Sequence, residues 1–161
     1  MVYMCGFFYL NKEMNMAQKA FEFPEELYYD KNHHMWVRKD NSATIVVGID
    51  AIGLDNLGDL AYITLRPEGT VVKKGETVGT LEAAKMTGDV FAPVSGRIIA
   101  VNNACVENPG LVNSDAYGKG WLLTMEAVNW EEESSQLVHG DDLEPWIAAE
   151  IQRLENQGFD A

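Results

Sequence analysis

Between Phe21 and Glu126 the chain is a succession of short β-branched runs, broken roughly every ten residues by Gly, Asp, Asn or Pro. That rhythm constrains the fold more than any other feature. Short runs separated by turn chemistry pair as strands and leave no room for long helices, which predicts a small all-β sandwich or barrel. Strands are expected near Trp36–Lys39, Thr44–Gly48, Leu60–Leu65, Thr77–Glu82, Asp89–Ala92, Gly96–Asn102 and Trp121–Met125. The segments Arg66-Pro67-Glu68-Gly69 and Lys73-Lys74-Gly75-Glu76 carry the residues that tight turns require, Pro for a fixed φ and Gly for a positive one. One interruption differs: Asp50 opens a stretch with Ile52, Leu54 and Leu57 at helix-like spacing, which predicts a short helical turn ending at Gly58.

After Met125 the texture changes. Asn129 is placed to cap a short helix whose first turn holds Glu131, Glu132 and Glu133, negative charge at the positive end of the dipole. A second helix is expected from about Pro145, its positions Ile147, Ile151 and Leu154 forming a stripe that packs on the sheet with Trp146 alongside. The chain therefore divides into a leader over 1–20 with no clear period, disordered or wrongly started; a domain over 21–126; and a helical extension over 127–161. From Glu126 onward there are ten acidic side chains and one basic one, so this end carries most of the formal charge of −13. With 12 Lys and Arg against 25 Asp and Glu, nucleic acid and anionic membrane surfaces are excluded as partners. No run approaches the roughly 18 to 20 apolar residues that span a bilayer, and Cys5 and Cys105 are too few for a disulfide framework, so a reducing cytoplasm is the expected compartment. Cys105 reads as a small packing residue. His33 and His34, taken as neighbours on a strand, point to opposite faces, and no further ligand closes a metal site, so none is expected.

The stretch that bears on function runs from Thr80 to Ala100. A strand ends in Leu81-Glu82, Ala83-Ala84-Lys85-Met86-Thr87-Gly88 turns the chain, and Asp89-Val90-Phe91-Ala92-Pro93-Val94-Ser95-Gly96 returns it: a hairpin with Lys85 at its tip. A solvated lysine on a long stem is unsuited to act as a depressed-pKa catalytic amine, but a modifying enzyme can grip it. No nucleophile elbow and no phosphate-cradling glycine loop occur, so the polypeptide is expected to catalyse nothing by itself.

Glu82-Ala83-Ala84-Lys85 followed by Ala92-Pro93-Val94-Ser95-Gly96 resembles the prosthetic-group hairpin of lipoyl and biotinyl carrier domains. Beyond it, Gly48-Ile49, Leu57-Gly58-Asp59, Lys74-Gly75-Glu76, Val101-Asn102, Asn108-Pro109-Gly110-Leu111-Val112-Asn113 and Tyr117-Gly118-Lys119-Gly120-Trp121-Leu122 resemble the glycine cleavage H-protein family, from about Phe23 to Trp146. The resemblance implies a flattened lipoyl-type β-barrel sandwich of two sheets with short helical segments and a C-terminal helix. It implies lipoic acid amide-linked to Lys85, with Glu82 recognised by the lipoate-attaching enzyme and Gly75, Gly88, Gly96 and Asp89 shaping the hairpin and its turns. The partners it implies are glycine decarboxylase, a folate-dependent aminomethyltransferase and dihydrolipoyl dehydrogenase.

The departures concern the cleft that would hold the arm. Family members usually read His-Glu-Trp where this chain has His34-Met35-Trp36, and usually carry a His where Ile52 stands. Met and Ile accept no hydrogen bond from an ammonium. With His34, Met35 and Ile52 as the expected arm cleft, these changes point to a cargo that is not an amine. The expectation is a sulfur carrier like the lipoate-binding proteins of cytoplasmic sulfur oxidation, serving a heterodisulfide-reductase-like complex. Glycine cleavage is the alternative. A biotin carrier is disfavoured, because Ala84 stands where biotin ligases favour Met.

Overall fold

The computed structural model describes residues 3–4, 7–8, 21–41 and 43–160. The expected leader lies almost wholly outside them, as does Cys5. What is described of it is backbone pairing: β1 (Tyr3–Met4) with β2 (Phe7–Phe8), and β2 with β3 (Phe23–Pro24).

The body consists of two antiparallel sheets. The larger runs in the order β4 (Tyr28–Asp30), β5 (Met35–Lys39), β6 (Thr44–Ile49), β12 (Leu123–Ala127), β11 (Gly96–Val101), β8 (Val71–Val72). The smaller is ordered β10 (Thr87–Phe91), β9 (Thr77–Ala83), β7 (Leu60–Leu65). Among the described residues these sheets do not close on each other, so the fold is the expected sandwich without the barrel's closure.

Why two cores form is visible along single strands. Successive strand side chains point to opposite faces, and β5 sends Met35 and Val37 inward toward the smaller sheet while Trp36 goes to the other face. β6 does the same with Ile45 and Val47 against Val46. The inner core adds Leu60, Ile63, Val78, Leu81, Val90 and Ile98. The outer face is covered by Phe23 and by the C-terminal helix α5 (Leu143–Asp160), through Leu143, Ile147 and Ile151. This is the expected apolar stripe, with Pro145 in the first turn, where a missing N–H removes no intrahelical bond.

The remaining helices are α1 (Ala51–Leu57), α2 (Asn103–Glu107), α3 (Gly110–Ser114) and α4 (Trp130–Glu133). Asp50 caps α1 as its position suggests, its Oδ1 accepting from Gly53 N at 2.9 Å. Asn129 does not cap α4: its Nδ2 donates to Glu132 Oε2 instead. Two glycines have different tasks from one another. Gly75 sits at φ +86° in the turn before β9, as expected. Gly96 is no turn residue. It starts β11 opposite Ala127, where a Cβ would lie 2.2 Å from the carbonyl oxygen of Glu126, so it permits close strand approach.

Candidate functional site

Strands β9 and β10 pair in register, Glu82 opposite Thr87 and Leu81 opposite Gly88, and leave Ala84, Lys85 and Met86 exposed at the tip. The tip is fixed by backbone bonds: Ala83 N donates to Met86 O at 3.1 Å, Ala84 N to Asp59 O at 2.9 Å and Lys85 N to Leu57 O at 3.0 Å. The Lys85 ammonium reaches back to the C-terminal turn of α1, Nζ donating to the Asp55 carbonyl oxygen at 2.7 Å. Helix ends leave such carbonyls unpaired and slightly negative, so this is a natural resting place for a cation. Glu82 is exposed on the same hairpin, its register neighbours Thr87 and Tyr62.

Beside the tip opens a cavity of about 440 Å³. Met86, Gly88, Asp89 and Phe91 form its hairpin wall, and Met35, Ile49 and Leu81 its apolar floor. Met86 is 52% exposed and stands at the rim between tip and cavity. On the α1 side the lining residues are Gly53, Asn56 and Leu57, the i, i+3, i+4 stripe that one helix face presents. Ile52 is off that stripe: it is fully buried in the outer core, so the structure places it away from the cleft that His34 and Met35 do line. The far wall is α5, through Arg153, Leu154 and Gln157.

His34 joins these walls. It does not lie on a strand: His33 and His34 occupy the turn after β4, and His34 has φ +55°, a left-handed conformation unusual for a side-chain-bearing residue. The turn therefore separates the two rings. His33 Nδ1 pairs with Asp30 at 3.0 Å and its ring stacks on Phe91, while His34 Nδ1 bonds the buried Asp50 Oδ2 at 3.0 Å. His34 Nε2 lies 3.4 Å from Glu150 Oε2, within reach of its charge but off the hydrogen-bonding direction, and Glu150 in turn pairs with Arg153. Burial lowers the His34 pKa, but the Asp50 hydrogen bond, the Asp50 charge and the Glu150 charge outweigh that burial and the opposing Arg153, so the pKa is raised overall. Sequence reasoning missed Asp50 as a partner, and Glu150 and Arg153 altogether. The signal for the latter was the Ile147, Ile151, Leu154 stripe, which already implied a docked helix.

Cys105 is buried in α2, where Asn102 Nδ2 approaches its Sγ at 3.2 Å and burial pushes the thiol pKa up, so it is a packing residue. Among the described residues no group of three or more His, Cys, Asp or Glu is arranged to hold a metal.

The model of the family described as Glycine cleavage H-protein matches residues 27–150. The glycine cleavage system H protein of Coxiella burnetii (strain Dugway 5J108-111) is 40% identical over 129 residues, 80% of this chain and 98% of that protein. The glycine cleavage system H protein 3 of Aquifex aeolicus (strain VF5) is 39% identical over 121 residues, 73% of this chain and 75% of that protein. Among solved structures, a glycine cleavage system H protein from Mycobacterium marinum superposes with a TM-score of 0.61 at 33% identity, covering 71% of this chain and 98% of that one. These proteins are named for glycine cleavage. The expectation of a sulfur carrier has no support from them, and its physical premise weakens too: where Met35 offers an ammonium nothing, the same cavity presents Asn32, Asn56 and Asp89.

Proposed function

The chain belongs to the glycine cleavage H-protein family, whose members are non-catalytic lipoyl carriers, and we propose that it carries the aminomethyl group of glycine on a lipoyl arm attached to Lys85. The arm supplies a disulfide that opens to take up and release the carried group. Glycine decarboxylase and the folate-dependent aminomethyltransferase are the partners between which the group moves. Dihydrolipoyl dehydrogenase restores the disulfide, and a lipoate-attaching enzyme reads Glu82 beside the tip. The cytoplasm is the compartment this reading assigns.

The observation that carries it is the placing of Lys85. Its amine stands on an exposed tip held by one side-chain bond to a backbone carbonyl, next to a cavity whose rim residue Met86 is half exposed. A group joined there by an amide loses the lysine charge and has an apolar floor of Met35, Ile49 and Leu81 to lie against, with Asp89, Asn56 and Asn32 available to a polar end.

Intact mass with peptide mapping, on protein from its native host, tests this directly. A lipoyl adduct on Lys85 that gains two hydrogens on mild reduction is expected; a bare or biotinylated lysine overturns the reading. Lys85→Arg should fold normally, remain unloaded and support no transfer of a glycine-derived carbon in a system reconstituted with decarboxylase and aminomethyltransferase. If the loaded wild type is likewise inactive there but acquires labile sulfur, the cargo is sulfur and the glycine assignment is wrong.

A further inference from the structure

The tip carrying Lys85 is not held by the hairpin alone. Two of its three consecutive amides are satisfied outside the hairpin, by the carbonyls of Leu57 and Asp59. Those carbonyls belong to the last residue of α1 and to the loop that joins it to β7, and that loop is gripped by one distant side chain. Asn113, on α3, accepts from Leu60 N through Oδ1 at 2.9 Å and donates from Nδ2 to Gly58 O at 3.1 Å, bracketing Asp59 from both sides. Gly58 itself turns at φ +82°, with its N–H closing on Leu54 O at 2.8 Å. The backbone there runs so close to the tip that a Cβ on Gly58 would lie 3.1 Å from Lys85 Cγ.

A primary amide suits Asn113's task. It offers an acceptor and a donor from one rigid plane, whereas Asp lacks the donor and an aliphatic residue lacks both. The half-buried Leu60 N–H and Gly58 carbonyl would lose their partners without it, and unmet backbone groups recruit water or move.

We infer that Asn113 is a positioning residue for the modification of Lys85: it fixes the Gly58–Leu60 loop, the loop fixes Ala84 and Lys85, and the lysine is thereby presented in one conformation to the attaching enzyme. The inference deepens the carrier reading and rests on it. In the loading step Lys85 Nζ, having lost a proton to solvent, attacks the carbonyl carbon of an activated lipoyl group, an acyl adenylate. The N–C bond forms, the bond to the adenylate phosphate breaks, AMP leaves, and the nitrogen gives up its second proton as the amide forms. Asn113 touches none of these atoms. Its effect is on how often the tip is in the form the enzyme binds, which raises the apparent KM and leaves kcat alone.

The experiment uses the full-length unloaded protein, a lipoate ligase with ATP and lipoic acid, and intact mass to follow acylation of Lys85. For Asn113→Ala the KM for the carrier should rise about tenfold with kcat unchanged. Hydrogen exchange should show lost protection at the Ala84 and Lys85 amides and unchanged protection at Val46 and Val47 in the core. Asn113→Asp, which keeps the acceptor for Leu60, should fall between, and it carries the test if the alanine variant does not fold. A wild type that loads, beside Asn113 variants with unchanged KM and unchanged protection at Ala84 and Lys85, overturns the inference alone. A wild type that the ligase cannot load overturns the carrier reading, and the inference with it.

Discussion

The two ends of α1 do opposite things with opposite chemistry. At its N-terminus a fully buried carboxylate, Asp50, serves two masters: Oδ1 caps the helix through Gly53 N and Oδ2 holds the His34 ring that lines the cavity. At its C-terminus the contacts are made by main-chain carbonyls, those of Asp55, Leu57 and Asp59, which receive Lys85 Nζ, Lys85 N and Ala84 N. At the first end side chains make the contacts in a dry environment; at the other, backbone carbonyls make them in a wet one, along a path that Asn113 holds from outside. The first end is thus sensitive to which residue is present, and the second to the path the backbone takes.

The largest effect is expected at Asp50. Asp50→Ala removes the cap and leaves a buried His34 without its partner, and the expected loss is about 3 kcal/mol in urea unfolding. A loss below about 1 kcal/mol would mean that the pair is replaced by water at little cost, and the contrast between the ends would fail. At the other end the corresponding insult is to the backbone: Gly58→Ala forces a side chain into a left-handed turn against Lys85 Cγ. A loss of about 1 to 2 kcal/mol is expected, together with poorer loading of Lys85.

How far the sequence foretold these ends follows the same division. The strands were legible because alternation is local: Met35, Trp36 and Val37 announce two faces within three residues, and the structure sends them to two cores. Lys85 at a hairpin tip was legible because it lies between a strand ending in Leu81-Glu82 and a returning one that starts at Asp89. The short strands Tyr28–Asp30 and Val71–Val72 carried too few residues to show a period. The cleft was half legible. His34 and Met35 line it, but Ile52 was assigned by its place in a motif, whereas helix phase puts Gly53, Asn56 and Leu57 there instead. Glu150 beside His34, and Asn113 beside Gly58, depend on how a distant helix docks, and no local spacing encodes that.

A subtler probe of the buried end is pH. The folded-state pKa of His34 is raised, so between its unfolded value of about 6.5 and its folded value the native state binds the proton more tightly. The stabilisation is fully present below the unfolded value and is lost as pH rises through the folded one. Urea unfolding at stepped pH should therefore show stability falling from about pH 6.5 upward. Glu150→Gln removes one of the charges that raise the pKa, so its decline should be smaller and end at lower pH, and the ring titration followed by NMR should move to lower pH as well. An unmoved titration would mean that Glu150 does not act on His34.

The smallest effect is expected at Asp55, and its smallness is the point. The Lys85 ammonium bonds the carbonyl of this residue and not its exposed carboxylate. Asp55→Ala keeps the carbonyl. It removes a negative charge from the last turn of a helix, where the dipole disfavours it, and it also removes a nearby attraction for the ammonium; each contribution is a few tenths of a kcal/mol at a solvated site. The two oppose each other, so stability should stay within about 0.5 kcal/mol of wild type, and Lys85 should load at the wild-type rate. A loss above about 1 kcal/mol, or a carrier that loads slowly, would show that the carboxylate holds the tip, and the exposed end of α1 would then be specified by side chains just as the buried end is.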